Sequence, residues 1–183
     1  MRKGFKLAIL VILVGLLIGL AAFVYTLRYG LSAHDKPTAV EAFIAARMRH
    51  WSVSSDLHNA RNPLPLTPEV LAEARAHFAD HCAVCHANDG KGKTEMGQHL
   101  YPRAPDMTLE ETQSQSDGEL FATIENGVRL TGMPGWGGND EDNWKLVLFI
   151  RHLPELSDKE RELMTEINGL DAHSAHEGTH DEQ

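Results

Sequence analysis

The sequence predicts an all-α protein in which a single transmembrane helix and a stalk precede a small exported domain. Three observations predict this class. An uncharged apolar run of 19 residues stands near the N-terminus. Downstream, the helix-starting patterns Thr-x-x-Glu and Ser-x-x-Glu recur. No run of alternating apolar and polar residues is long enough to predict a β-strand. With 183 residues, the chain has room for one ordinary domain and additional segments.

The apolar run extends from Leu7 to Tyr25. As a helix that rises about 1.5 Å per residue, it would span roughly 28 Å, close to the hydrocarbon thickness of a bilayer. Arg2, Lys3 and Lys6 precede it, so the positive-inside rule leaves the short N-terminus in the cytoplasm and exports the remainder. A cleaved signal peptide is the alternative, although its apolar region would be unusually long. Both interpretations export the C-terminal part.

The charge balance argues against a nucleic-acid-binding protein, which would normally carry a basic patch. The chain has 17 Lys and Arg against 26 Asp and Glu, a net charge of −9. From Arg28 onward the count is 14 basic and 26 acidic residues. This acidity either steers a basic partner toward the exported part or keeps that part soluble. Because only two cysteines are present, a disulfide-dense scaffold is excluded.

Capping signals predict where the first exported helices begin. Thr38 and the glutamate three residues later form a capping box ahead of an Ala-rich helix over residues 39–49. The two prolines within residues 62–65 predict an extended linker, because proline fixes φ and restricts the residue before it. Thr67, followed by proline, starts the next helix, which we expect to reach about residue 80.

Three further helices are predicted downstream, over residues 120–125, 140–153 and 157–169. Capping boxes at Ser116 and Ser157 open the first and the last of them. The middle helix is rich in apolar residues and ends at a proline. No internal repeat is visible in the sequence.

The sequence thus divides into four segments: a membrane anchor over 1–27, an exported stalk with a short helix over 28–66, a helical domain over 67–169 and a tail over 170–183. The tail carries His173, His176 and His180 among acidic and small residues. Metal binding by these histidines is an alternative, but we expect the tail to be disordered because it has nothing apolar to fix a geometry.

Cys82, Cys85 and His86 form the sequence C-A-V-C-H, the pattern of covalent haem c attachment. Two thiols three positions apart can add to the two vinyl groups on one edge of a porphyrin. The next residue then places an imidazole beneath the iron as a ligand. The spacing therefore predicts one covalently attached haem c, with Cys82 and Cys85 as attachment residues and His86 as an axial iron ligand.

Three other interpretations of this motif remain open. A redox-active C-x-x-C pair would be expected in a βαβ context and does not need the histidine. A zinc site needs more ligands at set spacing, and the sequence has no second cysteine pair. Chance occurrence of the pentapeptide is the third.

Met133 is the predicted ligand on the opposite face of the iron. It lies in the segment Thr-Gly-Met-Pro-Gly, where the backbone can fold over a flat cofactor. Its thioether is a soft ligand that favours ferrous iron and raises the reduction potential. The alternative ligands, expected instead to fill gaps or face solvent, are Met96, Met107, Met164 and His99.

The segment from Thr67 to Leu156 resembles the class I mono-haem cytochromes c, here carried on an N-terminal membrane anchor. The resemblance rests on C-A-V-C-H, on Asn-Gly-Val at 126–128 with Thr-Gly-Met-Pro at 131–134, and on the apolar C-terminal helix. It implies a small all-α domain wrapped around one haem. It also implies a helix crossing and a proline carbonyl that accepts a hydrogen bond from the iron-bound imidazole. Residues that match the crossing are Ala74, where the family usually has glycine, Phe78 and Phe149; residues that match the proline are Pro102 and Pro105.

The same resemblance implies one-electron transport between a respiratory donor and acceptor. With protein ligands on both faces of the iron, we expect no catalytic residue and no small-molecule substrate. The expected partners are redox proteins of respiratory complexes, reached from the periplasmic side of the cytoplasmic membrane. One alternative is a haem c subunit permanently docked in a larger oxidoreductase. Another is a haem-based ligand sensor, which would require that Met133 not bind iron. Candidate hydrogen-bond donors to the haem propionates are Arg103, Arg129 and Trp136. For each arginine, an ordinary solvated surface position is the favoured alternative.

Overall fold

The computed structural model describes residues 2–30 and 32–169, so the predicted tail over 170–183 lies outside the described residues. Within these ranges every regular element is a helix. The α-helices are α1 Arg2–Tyr29, α2 Ala39–Ser52, α3 Ser55–His58, α4 Pro68–His77, α5 Ala83–His86, α6 Glu95–Gln98, α7 Glu110–Gln113, α8 Asp117–Asn126, α9 Asp140–His152 and α10 Asp158–Asn168. A π-helical turn, Phe78–Cys82, joins α4 to α5, and a 3₁₀ turn, Leu153–Glu155, follows α9. The chain separates into two compact units, Met1–Asp35 and Lys36–Gln183.

The first unit contains α1. This helix is long and apolar enough to cross a membrane over Gly4–Arg28, by its length and composition. Its side chains between residues 4 and 28 are exposed, as expected of a helix whose apolar surface has no protein neighbour to cover it. The helix confirms the predicted apolar helix and makes it a candidate membrane span.

The predicted helix starts are confirmed in the second unit. All three capping boxes form, at Thr38, Ser116 and Ser157, each with the glutamate three residues later. Thr67 accepts a hydrogen bond from the backbone N–H of Val70, with a proline in the first turn of α4. Each cap satisfies N–H groups that the helix itself leaves without partners, which fixes where the helix begins.

The core of the second unit forms where α4 crosses α9. Ala74 of α4 is 1% exposed, and its small side chain lets the two helices approach closely. Phe78 packs on Phe149 of α9, with ring centroids 4.9 Å apart. On α8, Phe121 stacks on Trp144 of α9 at 4.4 Å. These contacts confirm the helix crossing that the resemblance to cytochromes c implied.

Helix α10 closes this core although it is polar on the outside. Met164 is fully buried. Asn168, the last residue of α10, donates a hydrogen bond to the carbonyl of Ala79 at 2.9 Å and another to the side chain of Asn88 at 2.7 Å. The C-terminal helix is therefore fastened to the chain on both sides of the C-x-x-C-H motif.

The segment before α4 packs into the same unit. The Asn62 amide donates to the carbonyl of Trp144 at 2.7 Å, and its backbone N–H donates to the Asp117 carboxylate at 3.1 Å. A Cβ on Gly118 would lie 1.7 Å from the carbonyl oxygen of Leu57, so α3 approaches α8 at a point where a side chain has no room. The compact unit thus begins at Lys36 and includes most of the segment predicted as a stalk.

Candidate functional site

The C-x-x-C-H motif forms one continuous turn. Cys82 ends the π-helical turn, and Cys85 and His86 end α5. Both cysteines are free thiols. The helix stops abruptly because Ala87 has φ of 61°, a left-handed value that a residue other than glycine seldom adopts. The motif therefore presents two thiols and an imidazole from a single short stretch of backbone.

The chemistry of the two thiols argues against a redox pair. Burial raises the pKa of Cys82 to about 12, and the nearby Cys85 adds to this shift. Burial also raises the pKa of Cys85. Redox-active and metal-binding cysteines need a lowered pKa, since the thiolate is the reactive form. These cysteines are neutral thiols at physiological pH, as an attachment pair would be before it reacts.

His86 is half-buried, and its buried Nδ1 makes no hydrogen bond with the described residues. Burial lowers the pKa of this imidazole, and the nearby backbone of Pro105 partly opposes the shift. A histidine that ligates a metal through one nitrogen usually gives its other N–H to a carbonyl or carboxylate. A neutral imidazole beside the Pro105 carbonyl fits a haem iron ligand, and of the two candidate prolines the structure favours Pro105.

The loop after the motif wraps back onto it. The backbone N–H of Gly92 donates to the carbonyl of His86 at 2.8 Å. The Thr94 hydroxyl, which caps α6, donates to the carbonyl of Cys85 at 3.1 Å. A Cβ on Gly97 would lie 2.1 Å from that same carbonyl oxygen. Sequence reasoning missed this support, although Thr94 directly before Glu95 is a recognisable helix-starting signal.

Met133 lies half-buried in the loop between α8 and α9. Its backbone is held on both sides: its N–H donates to the hydroxyl of Thr131 at 3.1 Å, and its carbonyl accepts from Val128 at 3.1 Å. Gly127 allows the loop to double back: its φ is 66°, and a Cβ there would lie only 2.7 Å from the Met133 carbonyl oxygen, so no side chain fits. This backbone geometry gives the sulfur-bearing residue a fixed position.

Two contacts place this loop beside the motif. The ring of Trp136 meets the ring of His81, the neighbour of Cys82, with centroids 5.4 Å apart. Gly132 packs closely on Leu100: a Cβ added to the glycine would lie 2.5 Å from a Leu100 methyl group. The structure therefore brings the segment that carries Met133 next to the segment that carries the two thiols and His86.

The four alternative iron ligands, three methionines and one histidine, lie in other environments. Met107 is 7% exposed and Met164 fully buried, and both belong to the hydrophobic core. Met96 is 54% exposed. The ring of His99 is hydrogen-bonded through Nδ1 to the carbonyl of Glu95 at 2.7 Å. Core packing and surface exposure account for each of them, which leaves Met133 as the preferred candidate.

The predicted propionate donors are all on the surface. Arg103 and Arg129 are exposed, and Arg103 donates to the side chain of Gln98 at 3.4 Å. Trp136 is 41% exposed, and its ring contacts the ring of His81, the residue before Cys82.

The chain is similar in sequence to known proteins over the segment that carries this site. The family profile described as "Cytochrome C oxidase, cbb3-type, subunit III" matches residues 69–150. The "Cbb3-type cytochrome c oxidase subunit FixPc" of Rhizobium leguminosarum bv. viciae is 32% identical over 95 residues. The "Cbb3-type cytochrome c oxidase subunit FixP" of Rhizobium meliloti (strain 1021) is 31% identical over 90 residues. Each match covers 49% of this chain and 30% or 29% of the relative, so the chain spans less than a third of their length.

Proposed function

We propose that the protein is a membrane-anchored, mono-haem cytochrome c that carries single electrons. The match of residues 69–150 to a cytochrome c oxidase subunit profile supports this proposal. Haem c is the cofactor of this family. The finer assignments are ours: Cys82 and Cys85 bind one haem covalently, and His86 and Met133 ligate its iron. Residues 1–27 serve as the anchor, 67–169 as the haem domain and 170–183 as a tail outside it.

One observation carries the proposal. The two free thiols and the His86 ring stand on one turn, and the buried Nδ1 of that ring is the polar atom left without a hydrogen bond among the described side chains. An unsatisfied buried polar atom is costly. A ring whose Nε2 binds iron has a more acidic Nδ1–H, which strengthens its interaction with a nearby carbonyl. The site is therefore shaped for a ligated imidazole.

When bound, haem c supplies a one-electron couple between ferric and ferrous iron. The protein's own contribution is positional. Burial keeps the His86 imidazole neutral, which is the form that ligates iron. The hydrogen-bonded loop holds the backbone of Met133 in place, and its thioether as a ligand would favour ferrous iron and raise the potential. With both positions filled by protein, no substrate has access to the metal.

The membrane assignment follows from α1 and the flanking charge. A helix long enough to span the bilayer, with lysine and arginine before it, directs the haem domain to the periplasmic side. There its electron donors and acceptors are redox proteins of respiratory complexes. We expect electron transfer, and not chemistry on a small molecule, to be its activity.

A second candidate is a subunit permanently docked in a larger oxidoreductase. The names of the two relatives favour it, since both are called subunits of a cbb3-type oxidase. The chain covers less than a third of those relatives, so a shared haem domain does not require a shared assembly.

Purification of the full chain from membranes in mild detergent tests these proposals. Intact mass and a pyridine haemochrome spectrum should report one haem per chain, bound through two thioethers. A polypeptide of unmodified mass would overturn the attachment proposal. Migration as a single chain that reacts rapidly with a soluble one-electron donor supports the carrier. Stoichiometric co-purification with other oxidoreductase subunits would overturn it in favour of the docked subunit.

A further inference from the structure

Two histidines and a glutamate converge where α2, α3 and α8 meet, in a cluster that the cytochrome function does not use. His50 lies near the end of α2, His58 ends α3 and Glu119 lies in the first turn of α8. Their ligand atoms all lie within 4.8 Å of one another. Glu119 Oε1 is 2.7 Å from His50 Nδ1 and 3.4 Å from His58 Nδ1. One carboxylate oxygen thus faces both imidazoles.

The hydrogen bonds of His58 decide which of its nitrogens carries a proton. Its Nε2 lies 2.9 Å from the backbone carbonyl of His50. A carbonyl only accepts, so Nε2 must donate. In the neutral ring Nδ1 is then a lone pair, and it faces the Glu119 oxygen at 3.4 Å. Two acceptors that face each other repel, unless a metal ion or a second proton on the ring lies between them.

Glu119 is held in position by its capping contact. Its Oε2 accepts a hydrogen bond from the backbone N–H of Ser116 at 2.8 Å, as part of the capping box. Burial acts to raise the pKa of this carboxyl. The Ser116 backbone and the two histidines together outweigh burial, so the pKa of Glu119 lies below its usual range. The capping contact leaves Oε1 free to face the imidazoles.

The second contacts of the cluster match those of metal ligands. A metal-bound histidine typically donates its other N–H to a carbonyl, as His58 does to His50. A ligating carboxylate is in turn hydrogen-bonded, as Glu119 is to Ser116. These outer contacts fix the orientation of the ligand atoms before any ion arrives.

A small cavity adjoins the cluster and gives access to it. Its volume is about 150 Å³, and its lining includes His50, Glu119, Gln115 and Thr123. A water molecule in the liquid occupies about 30 Å³, so the cavity has room for one as a further ligand. Arg49 also lines it. Its positive charge opposes a divalent ion, so we expect weaker binding than at a structural zinc site.

We propose that His50 Nδ1, His58 Nδ1 and Glu119 Oε1 form a binding site for a divalent transition-metal ion such as Zn²⁺, with water as the fourth ligand. Imidazole and carboxylate suit this ion, and three protein ligands with one open position are a known zinc arrangement. Metal–ligand bonds of about 2.0–2.1 Å in a tetrahedron separate the ligand atoms by roughly 3.3 Å. The His58 distance already meets this value, and the half-exposed ring of His50 can withdraw.

An ion at this position joins three elements of the fold. It would connect α2, the helix that follows the membrane anchor, to α3 and to the first turn of the haem domain's α8. Occupancy would therefore fix the segment before Thr67 against the haem domain.

Zinc titration of the haem-loaded full chain in detergent tests the proposal. The histidines of the tail are another possible source of zinc binding, so the background carries His173→Gln, His176→Gln and His180→Gln. We expect one Zn²⁺ per chain, and zinc-edge X-ray absorption should show two imidazole nitrogens at about 2.0–2.1 Å. Haem iron does not interfere at this edge. No binding in this background, or an absorption spectrum without imidazole, would overturn the site.

Single variants assign the ligands. His50→Gln, His58→Gln and Glu119→Gln should each weaken zinc binding at least about tenfold. Glutamine at position 119 can keep the capping box, so this variant should retain its fold, checked by far-UV circular dichroism. His34→Gln, in the other compact unit, is the matched control and should leave the affinity unchanged. Unchanged affinity in all three ligand variants would mean that the cluster holds only a proton on His58.

Discussion

The imidazole of His81 meets the indole of Trp136 edge to face, with ring centroids 5.4 Å apart and the planes at 89°. His81 is the neighbour of Cys82, and Trp136 follows Met133 by three residues. This contact therefore links the attachment turn to the loop of the proposed sulfur ligand. It couples the two halves of the proposed haem site without involving either proposed iron ligand.

Trp136→Leu removes this contact and should loosen the Met133 loop. Edge-to-face aromatic pairs contribute about 0.5–1.5 kcal/mol beyond their buried area, so we expect the free energy of unfolding to fall by about that amount. Carbon monoxide should bind the ferrous protein faster, which stopped-flow absorbance measures. Trp51→Leu is the matched control, because Trp51 is 75% exposed. Equal carbon monoxide rates in both variants would count against the coupling.

Met133→Ala tests the sixth ligand. Loss of the thioether should lower the reduction potential, because a soft sulfur ligand favours ferrous iron. It should also let carbon monoxide and cyanide bind, while the covalent haem is retained. Redox titration and ligand titration measure these effects. Met96→Ala, at a position 54% exposed, should change neither. If Met133→Ala leaves the potential and spectrum as they are, another residue ligates the iron; rapid carbon monoxide binding by the unmodified protein would favour a sensor.

Phe149→Ala tests the helix crossing. The side chain is fully buried and packs on Phe78. Truncation of a buried phenylalanine leaves a cavity and costs about 3–5 kcal/mol. Guanidinium unfolding of the haem-loaded protein, followed by circular dichroism at equal denaturant slope, measures the loss. Phe43→Ala, with the side chain 63% exposed on α2, should cost far less. A similar loss in both variants would show that the crossing contributes nothing special.

Glu160→Gln should reveal an acid-sensitive link between α9 and α10. Burial alone would raise the pKa of Glu160, but hydrogen bonds from Ser157 and the His152 ring, 2.9 Å away, lower it overall. A carboxyl with a lowered folded-state pKa stabilises the fold above its ordinary pKa of about 4.3 and loses this contribution as the pH falls through the folded value.

The stability difference between the unmodified protein and Glu160→Gln should therefore be present at neutral pH and vanish in acid. Unfolding curves at several pH values measure it. Glutamine preserves the capping box, so the comparison isolates the charge. Glu162→Gln, at an exposed position of the same helix, should show a smaller difference at neutral pH. A difference that persists unchanged in acid would show that the charge is not its source.

Local signals in the sequence predicted much of this fold. The three capping boxes and the Thr67 cap form as expected because they depend on residues three or four positions apart. The absence of strands holds over the residues that the structure describes. The helix ends were less predictable. The helix from Pro68, predicted to reach about residue 80, stops at His77 and continues as a π-helical turn over Phe78–Cys82. No periodic pattern in the sequence marks that change.

The features that sequence reasoning missed depend on distant contacts. Four helices of four residues each, α3, α5, α6 and α7, are too short to show a periodic pattern. The packing of Leu57 on Gly118 joins residues far apart in the chain. For the site, the motif indicated His86 and left Pro102 and Pro105 equal, and the structure was needed to favour Pro105. The assignments of Cys82, Cys85, His86 and Met133 stay predictions.

The hydrogen bonds of Asn168 determine where this domain can be cut to build a chimeric protein. The match to the family profile ends at residue 150, yet the last turn of α10 supplies hydrogen bonds to Ala79 and Asn88 on either side of the motif. A chimera cut at residue 150 would discard these hydrogen bonds together with α10 and its buried Met164. A graft of this domain into one of the similar proteins should therefore carry residues through Asn168, so that the transplanted segment keeps these hydrogen bonds.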